Sequence, residues 1–282
     1  YIGSSMDGTY KCGTCPTQEL VDAFETIDGQ PILDLAKPYL DEKHMQPNYN
    51  PDNKIYDPKN PYENRDPRLT ATVLCNGDSL IWNNGEVFTV ETYVNGRHGM
   101  SLDPSDRAHS RTGYYHRKLV TPQASNTNQI NNSNWKFFRL GEIILNYAEA
   151  AAESGHLAEA KAAVDEIRAR VNMPALPAGL SKDEMILRVH NERRVELAWE
   201  EVRYFDLRRW QKPEGNLNAT CQWLTGMRIT KNNDGSFNYQ RYNISTNPRG
   251  GYQNRDLLLP LPLDEVSRLE STTGVSWQNQ GW

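Results

Sequence analysis

Glu192-Arg193-Arg194-Val195-Glu196-Leu197-Ala198-Trp199-Glu200-Glu201-Val202-Arg203-Tyr204-Phe205-Asp206-Leu207-Arg208-Arg209-Trp210 decides how this chain is read. Its arginines alternate with acids and aromatics, first at helical spacing and then through a short aromatic-rich turn. Arginine is always charged and offers a planar fork of five donors, so guanidinium and carboxylate at this density imply paired, geometrically fixed contacts. A merely solvated face would accept lysine and would not need Trp199, Tyr204, Phe205 and Trp210 beside it.

Further motifs lie on both sides. Upstream are Pro16-Thr17-Gln18-Glu19-Leu20-Val21-Asp22-Ala23-Phe24 with Asp28-Gly29, then Asn60-Pro61-Tyr62 with Asn64-Arg65-Asp66-Pro67-Arg68, then Thr112-Gly113-Tyr114-Tyr115. Downstream are Leu258-Leu259-Pro260-Leu261-Pro262 and the terminal Gln278-Asn279-Gln280-Gly281-Trp282. Together and in this order they resemble the SusD/RagB family of surface nutrient-binding lipoproteins of Bacteroidetes. The likeness spans essentially the whole chain, with Leu258–Pro262 answering to a family strand. Two departures concern local backbone: Glu201 stands where the family usually has glycine, and Gln280-Gly281-Trp282 replaces Pro-Gly-Tyr.

The resemblance implies a mainly α fold, with tetratricopeptide-like helical pairs, long loops and small β-hairpins. It also implies that residues 1–282 are the C-terminal part of one domain whose N-terminal half lies outside this sequence. The helical hairpin core would occupy about 135–212, and loops and hairpins would fill 1–134 and 213–282.

With 31 basic and 36 acidic residues, the formal net charge of −5 excludes a strongly basic nucleic-acid footprint. A chain of 282 residues can bury a proper core. No run reaches the ~18 apolar residues of a transmembrane helix, and no basic-then-apolar signal opens the chain. The family's lipid-bearing cysteine is expected outside this sequence. Of the four cysteines, Cys12 and Cys15 form a C-x-x-C in a Gly/Ser/Thr-rich loop. It lacks the second pair of a zinc site and the strand-then-helix setting of a thioredoxin motif, so a local disulfide or two loop thiols is the favoured reading.

Leu20, Val21 and Phe24 predict a short helix over 17–26. A proline-punctuated connection from Gln30 to Asp66 has room for one helical turn near Leu33–Leu40. Alternation at Thr70–Leu74, Leu80–Trp82 and Val87–Val94, with turns at Asn76-Gly77 and Asn84-Gly85, predicts hairpins over 69–94. A second hairpin joins Gly226–Ile229 to Ser236–Tyr242 across Asn233-Asp234-Gly235. That turn is not a calcium loop, because Arg241 falls where a bidentate acid belongs.

Leu140, Ile144, Tyr147 and Ala151 mark one helix face, and Leu157, Ala160, Val164, Ile167 and Val171 a second. Gly155 separates the two helices and Asn172-Met173-Pro174 ends the second. Small residues at Ala148, Gly155 and Ala160 match a tetratricopeptide hairpin, and one such hairpin cannot cover both its faces. Ser181 and Glu184 form a capping box for a third helix. That helix carries Ile186 and Val189, breaks near Glu201 and resumes to Trp210.

Arg193, Arg194, Glu196, Arg203, Asp206, Arg208 and Arg209 read as a structural ion-pair lattice, since interleaved acids would neutralise an anion site. Glycosidase chemistry needs two carboxyls about 5–9.5 Å apart, and no motif singles out a pair among Glu91, Asp103 and Asp106. No metal, cofactor or nucleophile motif occurs, and the six histidines are isolated. Ligand binding by loop aromatics needs less machinery. Trp82 is the leading candidate, with Tyr10, Tyr49 and Tyr39 behind it and Tyr1 and Tyr56 in the same class.

The resemblance implies non-enzymatic capture of an oligosaccharide or polysaccharide at the outer face of the outer membrane, and its delivery to a SusC-type TonB-dependent transporter. The alternatives are a peptide-binding member of the family, a helical-repeat scaffold for proteins, and a surface glycan hydrolase.

Overall fold

The structure, a computed structural model, describes residues 12, 14–81, 87–103, 105–106, 108–119, 134–210, 221–249 and 254–282. Helix α1 (Gln18–Ala23) is followed by a long loop, α2 (Arg68–Thr72) and β1 (Val73–Leu74). Next come β2 (Ser79–Ile81), β3 (Val87–Thr89) and β4 (Tyr115–His116), then the helical block α3 (Leu140–Glu153), α4 (Leu157–Arg170), α5 (Lys182–Glu196) and α6 (Val202–Arg209). Strands β5 (Thr225–Lys231) and β6 (Phe237–Asn243) and helix α7 (Leu263–Thr273) complete the order. The described strands pair two by two, β1 with β4, β2 with β3 and β5 with β6, all antiparallel. The fold is thus mainly helical with small hairpins.

The helical block is held by alanines. Ala148, Ala151 and Ala152 of α3 meet Ala160, Ala163 and Val164 of α4, and Met185 and Val189 of α5 close the cluster. Methyl-sized side chains let the backbones approach closely. The larger residues of α3 consequently turn outward: Leu140 is 70% and Tyr147 52% exposed, while Leu145 is buried. The buried face of α3 is therefore rotated from the expected Leu140/Ile144/Tyr147 stripe. Ser181 caps α5 through the foreseen box with Glu184, a device worth about 1 kcal/mol.

A second core joins α1 to the β5–β6 hairpin through Val21, Phe24, Leu69, Val73, Tyr114, Val195, Met227 and Ile229. Here the loop carrying Thr112 crosses β5 at closest approach, with the Met227 N–H donating to the Thr112 carbonyl at 2.8 Å. Gly113 has φ +81°, and a Cβ there would stand 2.2 Å from the Met227 carbonyl oxygen, so no side chain fits. Tyr114 Oη donates to Gln18 Oε1 at 2.5 Å and accepts from Tyr62 Oη at 3.1 Å. One chain of hydrogen bonds thereby joins the Pro16–Phe24, Asn60–Tyr62 and Thr112–Tyr115 motifs.

Several local expectations change. Leu33–Leu40 forms no helix, because Pro38 cannot donate and disfavours helical backbone at Lys37; the segment carries the bridges Leu33–Tyr49 and Tyr39–Pro47 instead. Residues 68–72 are helical because Asp66 Oδ1 accepts from the Arg68 N–H at the first turn, and β1 pairs with β4 in place of a neighbouring hairpin strand. Leu258–Pro262 forms no strand and leads into α7. The Asn84-Gly85 turn falls outside the described residues.

Glu201 adopts φ +65° at the α5–α6 break. Left-handed backbone costs an L-residue about 1–2 kcal/mol, and this carboxylate is exposed. Glu201→Gly should therefore stabilise the chain by about 1 kcal/mol and raise Tm by about 2–4 °C in a calorimetric melt.

Candidate ligand-binding surface and its charged frame

The signature segment is part of a buried charge lattice that reaches well beyond it. Arg68 donates to Asp66, to Glu192 at 2.6 Å and to Glu196 at 2.9 Å, with all four side chains buried. Arg168 bridges Glu25 at 2.9 Å and Glu192 at 3.1 Å, and Arg188 reaches Glu25 at 3.2 Å. Arg139 and Arg170 converge on Glu196, and Arg139 and Lys118 on Glu200. Across the helix break, Arg193 grips Asp206 bidentately at 3.2 and 3.1 Å, and Arg209 spans Asp206 and Glu149. Trp210 stacks on His190 at 3.7 Å and donates to Glu149 at 2.7 Å.

Two signature arginines stand apart. Arg194 and Arg203 make no salt bridge with any described residue. Arg203 lies 5.7 Å from the Trp210 ring centroid. Burial, aided by neighbouring Arg194, pulls its pKa down to about 9. Arg208 donates to the Asp256 and Tyr204 carbonyls and covers the Tyr204 ring at 3.5 Å. Phe205, expected within the packing, is mostly exposed. The sequence reading missed Arg68, Arg168, Arg188, Glu25 and Glu149. Of these, only Arg68 lay inside a recognised motif.

Burial would raise the carboxyl pKa values, but direct partners win at most sites. Hydrogen bonds from Arg209 and Trp210, with His190 3.7 Å away, hold Glu149 well below the usual range. Arg68 does so for Glu196, and Arg139 with Lys118 for Glu200. At Glu25 burial prevails over Arg188 and Arg168, and its pKa rises.

The loop aromatics divide into anchors and a platform. Tyr39 donates to Asp22 at 2.8 Å and stacks on His44 at 4.4 Å. Asp22 is also held by Arg241 at 2.6 Å and by Gln18 at 2.8 Å, so Tyr39 is an anchor. Tyr49 is 44% exposed, with Tyr56 beside it at 5.7 Å. Arg65 lies 5.4 Å from the Tyr56 ring centroid, and its buried guanidinium donates to the Pro61, Val21 and Phe24 carbonyls. Tyr49 and Tyr56 thus form an aromatic ledge on a fixed base. Trp82, Tyr10 and Tyr1 fall outside the described residues.

A cavity of about 930 Å³ opens on the other side of the lattice, lined in part by Trp135, Trp199, Lys118, Arg139, Arg170 and Glu200. Trp199 packs on His116 at 4.3 Å, and its indole N–H is buried with no acceptor among the described residues. Neither tryptophan was singled out for ligand binding from the sequence. Among the described residues no group of three or more His, Cys, Asp or Glu could hold a metal, and no helix is long and apolar enough to cross a membrane.

The SusD family model matches residues 3–282, which is nearly the whole chain. The chain belongs to the SusD family. A SusD-like protein from Bacteroides fragilis is 30% identical over 96% of this chain, with a TM-score of 0.69. A SusD-like carbohydrate-binding protein from the same organism is 24% identical over 93% of the chain, with a TM-score of 0.55, and shares the fold. The chain spans 47% and 50% of the length of these two proteins. Among curated proteins, none matches the sequence. The arginine-rich segment spans the α5–α6 break, where Arg193 ties the two helices through Asp206, which Arg209 also holds.

Three outcomes should follow from the charged frame. Asp206→Ala leaves buried Arg193 with only Glu149 at 3.4 Å and Asn146 at 2.6 Å, and should cost about 3 kcal/mol in chemical denaturation. Arg203→Met removes an unpaired charge of similar volume and should be neutral or stabilising. The lowered carboxyls contribute stability that is complete above the unfolded carboxylate range and is lost as pH falls through their folded values. Glu25 has the opposite sign, and the lowered groups outnumber it. Thermal midpoints should therefore hold near neutrality and fall below about pH 4.5, less steeply in Glu149→Gln.

Proposed function

We propose that this chain is part of a non-enzymatic surface protein that captures a nutrient glycan, an oligosaccharide or polysaccharide, at the outer face of the outer membrane. It hands the ligand to a SusC-type TonB-dependent transporter, and a lipid anchor outside this sequence holds it at the membrane. SusD membership and a structural relative described as a SusD-like carbohydrate-binding protein support this reading. The observation that carries it is the Tyr49–Tyr56 ledge, with Tyr49 exposed and Tyr56 half-buried beside Arg65. A sugar ring has an apolar C–H face that suits an aromatic plane, while its hydroxyls at the edge stay hydrated or hydrogen-bonded. A pre-ordered platform loses little side-chain freedom on binding.

Trp82 remains the proposed leading contact, with Tyr10 and Tyr49 secondary. Tyr39 serves as a support, since its hydroxyl is already engaged by Asp22.

Isothermal titration against a panel of glycans tests the assignment. Trp82→Ala should weaken binding by about tenfold or more, and Tyr49→Ala by severalfold, with melting unchanged. Tyr39→Ala should instead lower the melting temperature. Release of reducing ends would indicate a hydrolase. Selective binding of a peptide panel would indicate a peptide-binding member. Unchanged affinity in the Trp82 and Tyr49 variants with a loss in Trp135→Ala would move the ligand to the cavity.

A further inference from the structure

Cys12 and Cys15 are both free thiols, and their sulfur atoms lie 3.3 Å apart. Both are half-buried, so each keeps a path to solvent. Cys12 packs against the small core of Leu74, Val90 and Tyr115, which fixes its position. Cys15 precedes Pro16, whose ring is buried at the approach to α1.

The wall opposite is the loop around Ser110. Ser110 Oγ donates to the Tyr114 carbonyl at 2.6 Å. Tyr115 Oη accepts from the Ser110 N–H at 3.1 Å and donates to the His98 carbonyl at 3.0 Å. Ser110 and Arg111 of this loop lie beside Cys15, with the Ser110 hydroxyl proton committed to the Tyr114 carbonyl. The other titratable groups around the pair are Asp106, with His109 on it at 2.8 Å, and the phenols of Tyr115 and Tyr242.

The two thiols are inequivalent. The contact with Cys12, acting against burial, draws the Cys15 pKa down to about 6. The same contact, with burial, pushes Cys12 up. Cys15 is therefore the thiol that ionises first, with the Cys12 sulfur 3.3 Å from it. Cys75, only 1% exposed, and Cys221 are both pushed up by burial.

We infer that Cys12 and Cys15 are an exchangeable dithiol–disulfide site, with Cys15 the entering nucleophile, Cys12 the resolving thiol and a small-molecule disulfide the co-reactant. The Cys15 thiolate attacks one sulfur of the small disulfide, forms a mixed disulfide and expels one thiolate. That thiolate takes the Cys12 proton. Cys12 then attacks the Cys15 sulfur and expels the second thiolate, which is protonated by solvent. The protein pair loses two electrons, and the small disulfide gains them and leaves as two thiols. The product bond ties the approach to α1 beside the loop that positions Tyr114, the partner of Gln18. The activation comes from the Cys12 contact and needs no helix terminus, so the absence of a thioredoxin setting does not count against it.

The 282-residue chain, reduced and then exposed to oxidised glutathione, is the test, with alkylation and peptide mapping as the readout. Before oxidation, iodoacetamide at pH 7 should label Cys15 about tenfold faster than Cys12, Cys75 or Cys221. After oxidation, the peptide spanning Cys12 and Cys15 should be lighter by the mass of two hydrogens and resist alkylation. Cys12→Ser should accumulate glutathione on Cys15, whereas Cys15→Ser should leave Cys12 largely unmodified. Equal labelling of all four thiols, or both cysteines still alkylatable after oxidation, overturns the inference. Glutathione accumulating on Cys12 in Cys15→Ser as fast as on Cys15 in Cys12→Ser overturns the assignment of roles. The mapping on the unaltered chain decides the main point even if a variant fails to fold.

Discussion

Arg68 is the contact on which the rest of this structure depends. Its guanidinium is buried between Asp66, on its own loop, and Glu192 and Glu196 on α5. A lone buried charge is very costly, and removing one partner strands the others. The Asn64–Arg68 loop can therefore sit against α5 in one way only, because that position satisfies every donor and acceptor together. Through Glu192 the same constraint passes to Arg168 and Glu25, and through Glu196 to Arg139 and Arg170. Apolar packing supplies most of the driving force for folding, but it is not directional. The charge lattice specifies which loop meets which helix.

That division of labour bears on ligand capture. A lattice whose acids and bases are already matched leaves little affinity for an external ion, and its value lies in rigidity. Arg65 and the Asp22–Arg241 pair hold the loop from Thr26 to Asp66 in the same manner, locking Tyr39 as a post and presenting Tyr49 beside Tyr56. Aromatic stacking on a sugar is weakly directional and gains from a platform ordered before the ligand arrives. The cavity between Trp135 and Trp199 follows a different pattern, with concave walls and an unused indole N–H.

The thiol pair shows the same economy of parts. The loop through Ser110 and Gly113 crosses β5 so closely that only glycine fits at Gly113. The crossing fixes Tyr114 for Gln18 and brings Ser110 and Arg111 to Cys15. One tight backbone approach thus serves both the core and the sulfur chemistry.

The sequence by itself determined the elements whose signals are local. The Ser181–Glu184 capping box, the Asn233-Asp234-Gly235 turn between β5 and β6, the alanine-lined helical pair and the break at Glu201 follow from side chains within a few positions of one another. Motif order was enough to indicate the family. The tertiary structure decided what depends on distant partners. Which face of α3 is buried was settled by the alanines of α4, against the larger residues that periodicity favoured. Residues 68–72 became a helix behind Pro67, with Asp66 accepting from the Arg68 N–H, although the alternation of Thr70–Leu74 reads as a strand. Tyr39 and Tyr49 look alike in the chain, yet Asp22 and His44 engage one and leave the other exposed. Arg193 and Arg203 are equally indistinguishable there, and only Arg193 meets Asp206. A residue's own chemistry and its near neighbours are written in the sequence, whereas its burial and its partner across the core come into being only when remote segments pack together.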